Sequence, residues 1–357
     1  MTARVVHVAS GREWRGGQRQ VWLLARELAH LGGLEQVVVT GAGSELAERL
    51  RRDGLPLRTV PWTMGLDPRV LPAVLAELRT AGSLVHAHDG HAVTLGGLAA
   101  SVSGRRFVAT RRVDFHLRRP GFWARADRVI AISRAVADVL ITDGIAVERI
   151  VIVHSGIALD EIRGTGRLDV RGMLGLPPDA LVAANVAALV GHKDHATLLR
   201  AAARLGNRFP SLHWVVAGEG PERAALERLR ADLGLEGRFH LLGHVPEPAR
   251  VAAAADVFVM SSAQEGLGTS VLDAMALGIP VASTAAGGLA ELLQDGAGLL
   301  AAPSDPAALA EAVARLLEDS ALARTTVERA SAQVERFTAA RMAEAVRSVY
   351  RSWAPFP

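Results

Sequence analysis

At 357 residues, 50% apolar and 22% charged, the chain can bury two domain-sized cores and is too hydrophobic for wholesale disorder. The absence of cysteine excludes disulfides, thiolate metal sites and cysteine nucleophiles, and it suits a reducing compartment. Net charge is +3, residues 1–10 read as a short strand carrying Arg4 rather than a signal peptide, and no apolar run nears the ~18 residues of a membrane span; the expected location is the cytoplasm, at most peripherally on the inner face of the membrane.

From the N-terminus, β-branched runs at 5–9, 36–40, 57–61, 84–88, 107–110, 129–132 and 150–153 alternate with helical stretches at 18–31, 45–52, 70–80, 92–101 and 134–141. Such alternation predicts a parallel sheet covered by helices on both faces. The rhythm breaks over 157–180, where glycines and the pair Pro177-Pro178 read as a connection with a short lead-in helix. It restarts with strands at 182–189, 214–217, 239–242, 257–261, 280–282 and 298–301, and helices at 195–205, 222–233, 248–254, 270–277, 289–293 and 306–318. The tail 322–353 reads as helix throughout. The expected fold class is α/β, with two Rossmann-like domains, 1–165 and 166–337, facing across a cleft, and a C-terminal helix of about 338–357 packing back on the first. Ligands of such sheets bind outside the carboxyl ends of the strands.

Three segments carry candidate chemistry. The loop before the first helix holds Gly16 and Gly17, which let backbone approach a ligand beside a helix N-terminus. It is not G-x-G-x-x-G, so no dinucleotide fingerprint is present. Lys193 lies between the first strand and first helix of the second half, where a bound phosphate would welcome a cation. The richest segment is 261–280, in which a strand gives way to the loop Glu265-Gly266-Leu267-Gly268-Thr269 and then to a helix near Ser270. Loop amides there can hold a diphosphate, and Glu265 and Asp273 can accept hydrogen bonds from hydroxyls. For Asp273 a structural alternative exists, a capping box with Ser270 as N-cap and Asp273 three residues on. Glu265 has no comparable structural role.

His86 and His88 share a strand face, and His91 is the available third ligand if a metal were bound there; polar or core roles are the expectation, with no metal site. Between Arg105 and Arg134 nine arginines face two aspartates, giving +7, more than the whole chain. That stretch suits a phosphorylated acceptor or an anionic membrane surface, or is a solvated face; sparse aromatics argue against nucleic acid.

With these residues in view, the chain resembles the retaining glycosyltransferases of family four, which have the GT-B fold. The resemblance rests on Glu265-Gly-Leu-Gly268 with Asp273-Ala-Met-Ala-Leu-Gly-Ile-Pro-Val281, on Val215-Val-Ala-Gly-Glu-Gly-Pro221, Leu241-Leu-Gly-His244, Ala255-Asp-Val-Phe-Val259 and Ala286-Gly-Gly-Leu-Ala-Glu291. In the first half it rests on Val85-His-Ala-His88, Ala126-Asp-Arg-Val-Ile-Ala-Ile-Ser133 and Val151-Ile-Val-His-Ser-Gly156, so it spans nearly the whole chain in order. It implies a nucleotide-diphosphate-sugar as co-substrate, UDP favoured, with no other cofactor, and a glycan or lipid-linked acceptor. Glu265 would meet the donor sugar, Asp273 the ribose, and Lys193 with the amides around Gly266–Thr269 the diphosphate. His244 and Val245 would lie near the base, Gly218 beside the donor, and Gly16 and Gly17 near the phosphates or the acceptor. Arg112 would assist catalysis, and His88 and Arg111 would stand on the acceptor side.

Three departures accompany it: Asp273 replaces the usual glutamate, Ala188 stands where the family has arginine, and Arg111-Arg112 follow Val108-Ala-Thr110 where some relatives have histidine. The implied reaction is attack of an acceptor hydroxyl on the anomeric carbon with retention, the departing diphosphate stabilised electrostatically. The alternatives are a nicotinamide-dependent oxidoreductase, for which Gly41-Ala-Gly43 lacks the third glycine, a non-catalytic two-lobed binding protein, or a catalytically impaired sugar- or nucleotide-binding relative.

Overall fold

In the computed structural model, which describes residues 4–63 and 65–353, βα units repeat along the chain and sort into two compact units. Residues 1–3, Met64 and the last four residues of the tail helix expected over 338–357 lie outside the described residues. The first unit runs to Gly156 and resumes at Thr338; the second is Ile157–Phe337.

The first unit contains β1 (Arg4–Ala9), α1 (Gly16–Leu31), β2 (Glu35–Gly41), α2 (Glu45–Arg52), β3 (Leu57–Val60), α3 (Val70–Glu77), β4 (Ser83–Ala87), α4 (Gly90–Ser103), β5 (Arg106–Arg111), β6 (Arg128–Ala131), α5 (Arg134–Thr142) and β7 (Ile150–Ile152). Its seven strands pair in parallel in the order β3-β2-β1-β4-β5-β6-β7. β4 is buried along its whole length, as a strand with helices over both faces must be. Helix starts follow side-chain chemistry: Ser44, Asp89 and Ser133 accept hydrogen bonds from the first-turn amides of α2, α4 and α5.

The second unit opens with two short helices, α6 (Leu159–Arg163) and α7 (Val170–Leu174), in the segment expected to hold one. It continues with β8 (Leu181–Val186), α8 (His195–Leu205), β9 (Leu212–Ala217), α9 (Arg223–Asp232), β10 (Phe239–Gly243), α10 (Ala249–Ala253), β11 (Val257–Met260), α11 (Thr269–Ala276), β12 (Val281–Thr284), α12 (Gly288–Leu292), β13 (Leu299–Ala301), α13 (Pro306–Glu318) and α14 (Ser320–Val334). Its sheet is parallel, in the order β10-β9-β8-β11-β12-β13.

The tail is not helical throughout. A 3-10 turn at Glu335–Phe337 ends α14, and Thr338 caps a new helix, α15 (Ala339–Arg351), which packs beside α1. The break falls where the backbone passes its outgoing stretch. Ile157 N–H donates to the Phe337 carbonyl at 2.9 Å, and a Cβ on Gly156 would come within 2.5 Å of the Thr338 carbonyl. The Phe337 carbonyl, which a continuous helix would bond to the Arg341 N–H, accepts from Ile157 instead, and Arg341 N–H donates to the Thr338 hydroxyl at 3.2 Å, so a tertiary contact overrides the periodicity of 322–353.

The basic stretch is less uniform than its +7 suggests. Arg106 pairs with Asp127 at 2.7 Å, and Arg106 and Arg128 lie over Trp353. Arg111 lies over Trp123, Arg125 lies over Phe122, and Arg118 and Arg119 remain exposed.

Candidate functional site

In an open parallel sheet the crevice forms where neighbouring strands send their connections in opposite directions. In the second unit that point lies between β8 and β11. The loop after β8 ends in a 3-10 turn, Gly191–Lys193, and Asp194 follows in the left-handed region at φ 46°. Asp194 caps α8 by accepting from Thr197 N–H (3.2 Å) and hydroxyl (2.8 Å). The loop after β11 is stitched to it: the Ser261 hydroxyl donates to the Lys193 carbonyl (2.9 Å), and Ala263 N–H to the His192 carbonyl (2.9 Å).

This stitching brings Lys193 and Glu265, 72 residues apart in sequence, into an ion pair whose side chains are only 17% and 12% exposed. The Ser262 hydroxyl also donates to Glu265 Oε2, at 3.3 Å. Gly288 N–H fixes the backbone of Glu265 from beneath by donating to its carbonyl at 2.9 Å. Gly266, Leu267 and Gly268 are buried on that support, and a Cβ on Gly288 would lie 2.5 Å from the Gly266 carbonyl oxygen. Gly268, at φ 95°, makes the turn into α11; this is a left-handed position that side chains resist, and a Cβ would also strike Leu289.

Gly268, not Ser270, is the N-cap of α11, and no side chain caps that helix. Asp273 is its fifth residue, outside the first turn, so the capping box is not formed. The extended loop at Gly266–Thr269 starts the helix earlier than the Ser-x-x-Asp spacing suggested. Asp273 is buried, 6% exposed. α11 therefore presents first-turn amides, whose partial positive charge favours an anion, beside the Lys193–Glu265 pair.

Gly218 lies one strand over. Its N–H donates to the Gly243 carbonyl (2.8 Å), and a Cβ there would sit 1.9 Å from the Ala187 carbonyl. Only glycine lets the ends of β8, β9 and β10 approach this closely. His244 and Val245 follow β10 directly, His244 exposed and Val245 half-buried. Beneath the Lys193 loop lies a group that motif spacing did not reveal. His195 Nε2 faces Asn185 Oδ1 at 3.2 Å, and the Asn185 amide donates to the Val259 carbonyl at 2.8 Å. Burial pushes the His195 pKa down to about 4, helped by the Lys193 charge. An asparagine inside a strand otherwise rich in alanine and valine was its only sequence signal.

The first unit has its own switch point, between β1 and β4. There the Asp89 carboxylate accepts from Ser10 N–H (2.7 Å) and hydroxyl (2.5 Å) while capping α4 through Ala92 N–H. Gly16 is exposed at the start of α1, which also lacks a side-chain cap. A Cβ on Gly17 would lie 3.8 Å from Arg112 Cδ, so the arginine side chain runs beside Gly17. Arg112 forms no ion pair among the described residues, and burial lowers its pKa to about 10. Arg111 diverges from it, donating to the Phe115 carbonyl at 2.5 Å.

The partner of Arg112 is His88, whose Nδ1 lies 3.4 Å from Nη2. The third histidine of this group is His7, not His91. His7, His86 and His88 bring ring nitrogens within 4.8 Å of one another, all buried, whereas His91 is exposed. Parallel register explains it, because β1 sets His7 directly opposite His86. Burial holds the pKa of all three well below the ordinary histidine range, His7 at about 3.

A family model described as glycosyl transferases group 1 matches residues 168–333, and one described as glycosyltransferase family 4 matches residues 14–161. A 2-deoxystreptamine glucosyltransferase of Streptomyces kanamyceticus is 30% identical over 352 residues, covering 85% of this chain and 90% of that protein. A lipopolysaccharide core biosynthesis glycosyltransferase of Rhizobium meliloti (strain 1021) is 36% identical over 174 residues; that alignment spans 48% of this chain and half (50%) of the relative. A D-inositol 3-phosphate glycosyltransferase of Catenulispora acidiphila is 31% identical, covering 92% of this chain and 88% of that protein. Among solved structures, HepE of Anabaena in complex with UDP-glucose superposes with a TM-score of 0.86 at 21% identity, covering 98% of this chain and 100% of that one.

Proposed function

The chain belongs to the glycosyl transferases of group 1, and on that premise we propose that it moves a sugar from a nucleoside diphosphate sugar to a hydroxyl of a glycan, lipid-linked or phosphorylated acceptor, with UDP as the nucleotide and retention at the anomeric carbon. The fold is GT-B, two Rossmann-like domains, as in its structural neighbours.

The observation that carries the proposal is the Lys193–Glu265 pair set beside the uncapped N-terminus of α11 at a switch point. An ammonium and a carboxylate side by side match a donor in which a diphosphate adjoins sugar hydroxyls. Lys193 and the amides around Gly266–Thr269 receive the diphosphate, Glu265 the sugar hydroxyls, Asp273 the ribose, and His244 and Val245 the base. The acceptor oxygen bonds to the anomeric carbon as the bond to the diphosphate oxygen breaks. The acceptor proton passes to the leaving phosphate on the same face. Positive charge and helix amides that stabilise the diphosphate as it departs supply most of the rate enhancement.

Arg112, beside Gly17 and in no ion pair among the described residues, with the Asp89 carboxylate acting on it only through space, offers the first unit's own anion-receptive edge, with His88 and Arg111 on the acceptor side. HepE is described with UDP-glucose, which supports UDP here. The lipopolysaccharide-core and D-inositol 3-phosphate relatives support a cell-envelope glycan or phosphorylated acceptor. Among the described residues no helix is long and apolar enough to cross a membrane. A lipid-linked acceptor would bring the stretch Arg105–Arg134 to an anionic surface, and equal liposome flotation with and without anionic lipid would remove that version.

The test is a thermal-shift screen of UDP, GDP and ADP and their sugars. A ligand at a hundred times its Kd adds about 2.7 kcal/mol of stability, so the true nucleotide raises Tm by several degrees. Failure of every nucleotide to shift Tm, together with no nucleoside diphosphate released from any donor, would overturn the proposal.

A further inference from the structure

The buried histidines behind Arg112 form an arrangement that the reaction chemistry does not by itself require. Arg112 can only donate, so its Nη2 gives the hydrogen bond at 3.4 Å and His88 Nδ1 accepts. His88 is then neutral and carries its proton on Nε2. That proton is donated to His7 Nδ1, 3.0 Å away. His7 in turn carries its own proton on Nε2, next to the Gln36 side chain. Gln36 donates its amide N–H to the Ala25 carbonyl at 2.6 Å, and its Oε1, like His7 Nε2, is shielded from solvent with no hydrogen-bond partner among the described residues. The donors thus run one way, from Arg112 through His88 to His7.

His86 stands beside this chain but outside it. Its Nδ1 meets the Tyr350 hydroxyl and its Nε2 the Thr110 hydroxyl, each at 2.6 Å. With both His86 nitrogens engaged and a guanidinium on His88, the three rings are a poor metal site despite their spacing.

We infer that His7 and His88 are positioning residues: a neutral, one-way hydrogen-bond relay that orients the Arg112 guanidinium without cancelling its charge. A carboxylate in the place of His88 would hold the arginine equally well but neutralise it. A neutral imidazole holds it without adding a second carboxylate to the through-space pull of Asp89, and so keeps its charge available to a phosphate-bearing substrate. The relay also explains why the first strand spends a core position on histidine, at a desolvation cost that an aliphatic residue would avoid. The catalytic half of this inference rests on the proposed role of Arg112; the proton arrangement does not.

The two are separated by experiment. Long-range 15N correlation of the imidazole rings in the whole chain at pH 7 should show His7 and His88 both neutral and both protonated on Nε2. Protonation of either ring on Nδ1, or a charged ring at pH 7, overturns the relay. So does stoichiometric perturbation of these rings by added zinc, which would make the cluster a metal site. In His7→Leu, His88 should keep its proton on Nε2, because Arg112 still donates to Nδ1, while the Nε2 resonance shifts on losing its acceptor; a move of the proton to Nδ1 overturns the relay. With an active donor in hand, His88→Leu should lower kcat by up to about a hundredfold, the effect of a misplaced charged group. His88→Asn, whose Oδ1 replaces Nδ1 as acceptor, should recover part of that loss. Equal kcat in the two variants, with matching Tm, would refute positioning of Arg112 while leaving the tautomer result to stand or fall alone.

Discussion

Substituting Gly288 tests whether the donor loop works by close backbone approach. Gly288 lies outside the left-handed region, so alanine meets no conformational penalty of its own there. Its Cβ would nevertheless stand 2.5 Å from the Gly266 carbonyl oxygen and 2.7 Å from Leu267 Cα. Both are backbone atoms and cannot rotate away. Ordinary contact begins near 3.4 Å, so the loop from Glu265 to Gly268 or the start of α12 must retreat by close to 0.9 Å, the difference between 3.4 and 2.5 Å. Overpacking of this kind costs about 1–3 kcal/mol of stability. A shift near 1 Å in the groups that hold the donor can cost about a hundredfold in rate. Gly288→Ala should therefore lower the urea midpoint modestly and kcat/KM for the donor severely, measured by nucleoside diphosphate release. Gly237→Ala, where a Cβ meets nothing within 4 Å, is the control and should change neither. Wild-type kcat/KM in Gly288→Ala would show that the loop does not position the donor.

Removing one partner of the Lys193–Glu265 pair leaves a largely buried charge. Lys193→Met should cost about 3 kcal/mol, the low end for buried pairs because both side chains keep some water, while Lys193→Met with Glu265→Gln should cost less; additive losses in urea unfolding would mean the two do not interact. Tyr350→Phe strands a buried His86 nitrogen that now bonds the hydroxyl at 2.6 Å, so a loss of about 1–3 kcal/mol at unchanged m-value is expected, and an unshifted midpoint would deny the bond. His7, His86, His88 and His195 all bind protons less readily folded than unfolded. Stability is thus complete above the unfolded pKa of about 6.5 and falls as pH drops below it, at up to about 1.4 kcal/mol per pH unit per histidine. For His195 the loss levels off at its folded pKa of about 4, and for His7 at about 3; urea midpoints that stay flat from pH 7 to 5 would contradict this.

The sequence by itself determined the α/β class, nearly every strand and helix, and the segments that end as loops at the carboxyl edges of the two sheets. Alternation of β-branched runs with amphipathic stretches is local, and so are Gly-rich turns and N-cap residues such as Ser44 and Ser133. Glu265 and Lys193 could be singled out because their loops break the repeating pattern, and Gly218 and Arg112 through the family resemblance. What sequence left open was the partner of each. That Lys193 meets Glu265, that His7 rather than His91 completes the histidine group, and that Arg112 runs beside Gly17 all depend on which strands lie side by side. Parallel pairing brings together residues such as these, 72 and 81 positions apart, through intervening helices, and no local signal records the register. The two errors of local reading have the same origin: the helix expected across 335–338 and the capping box at Ser270 follow local propensity, and in both places a close backbone contact or an extended glycine loop decided otherwise.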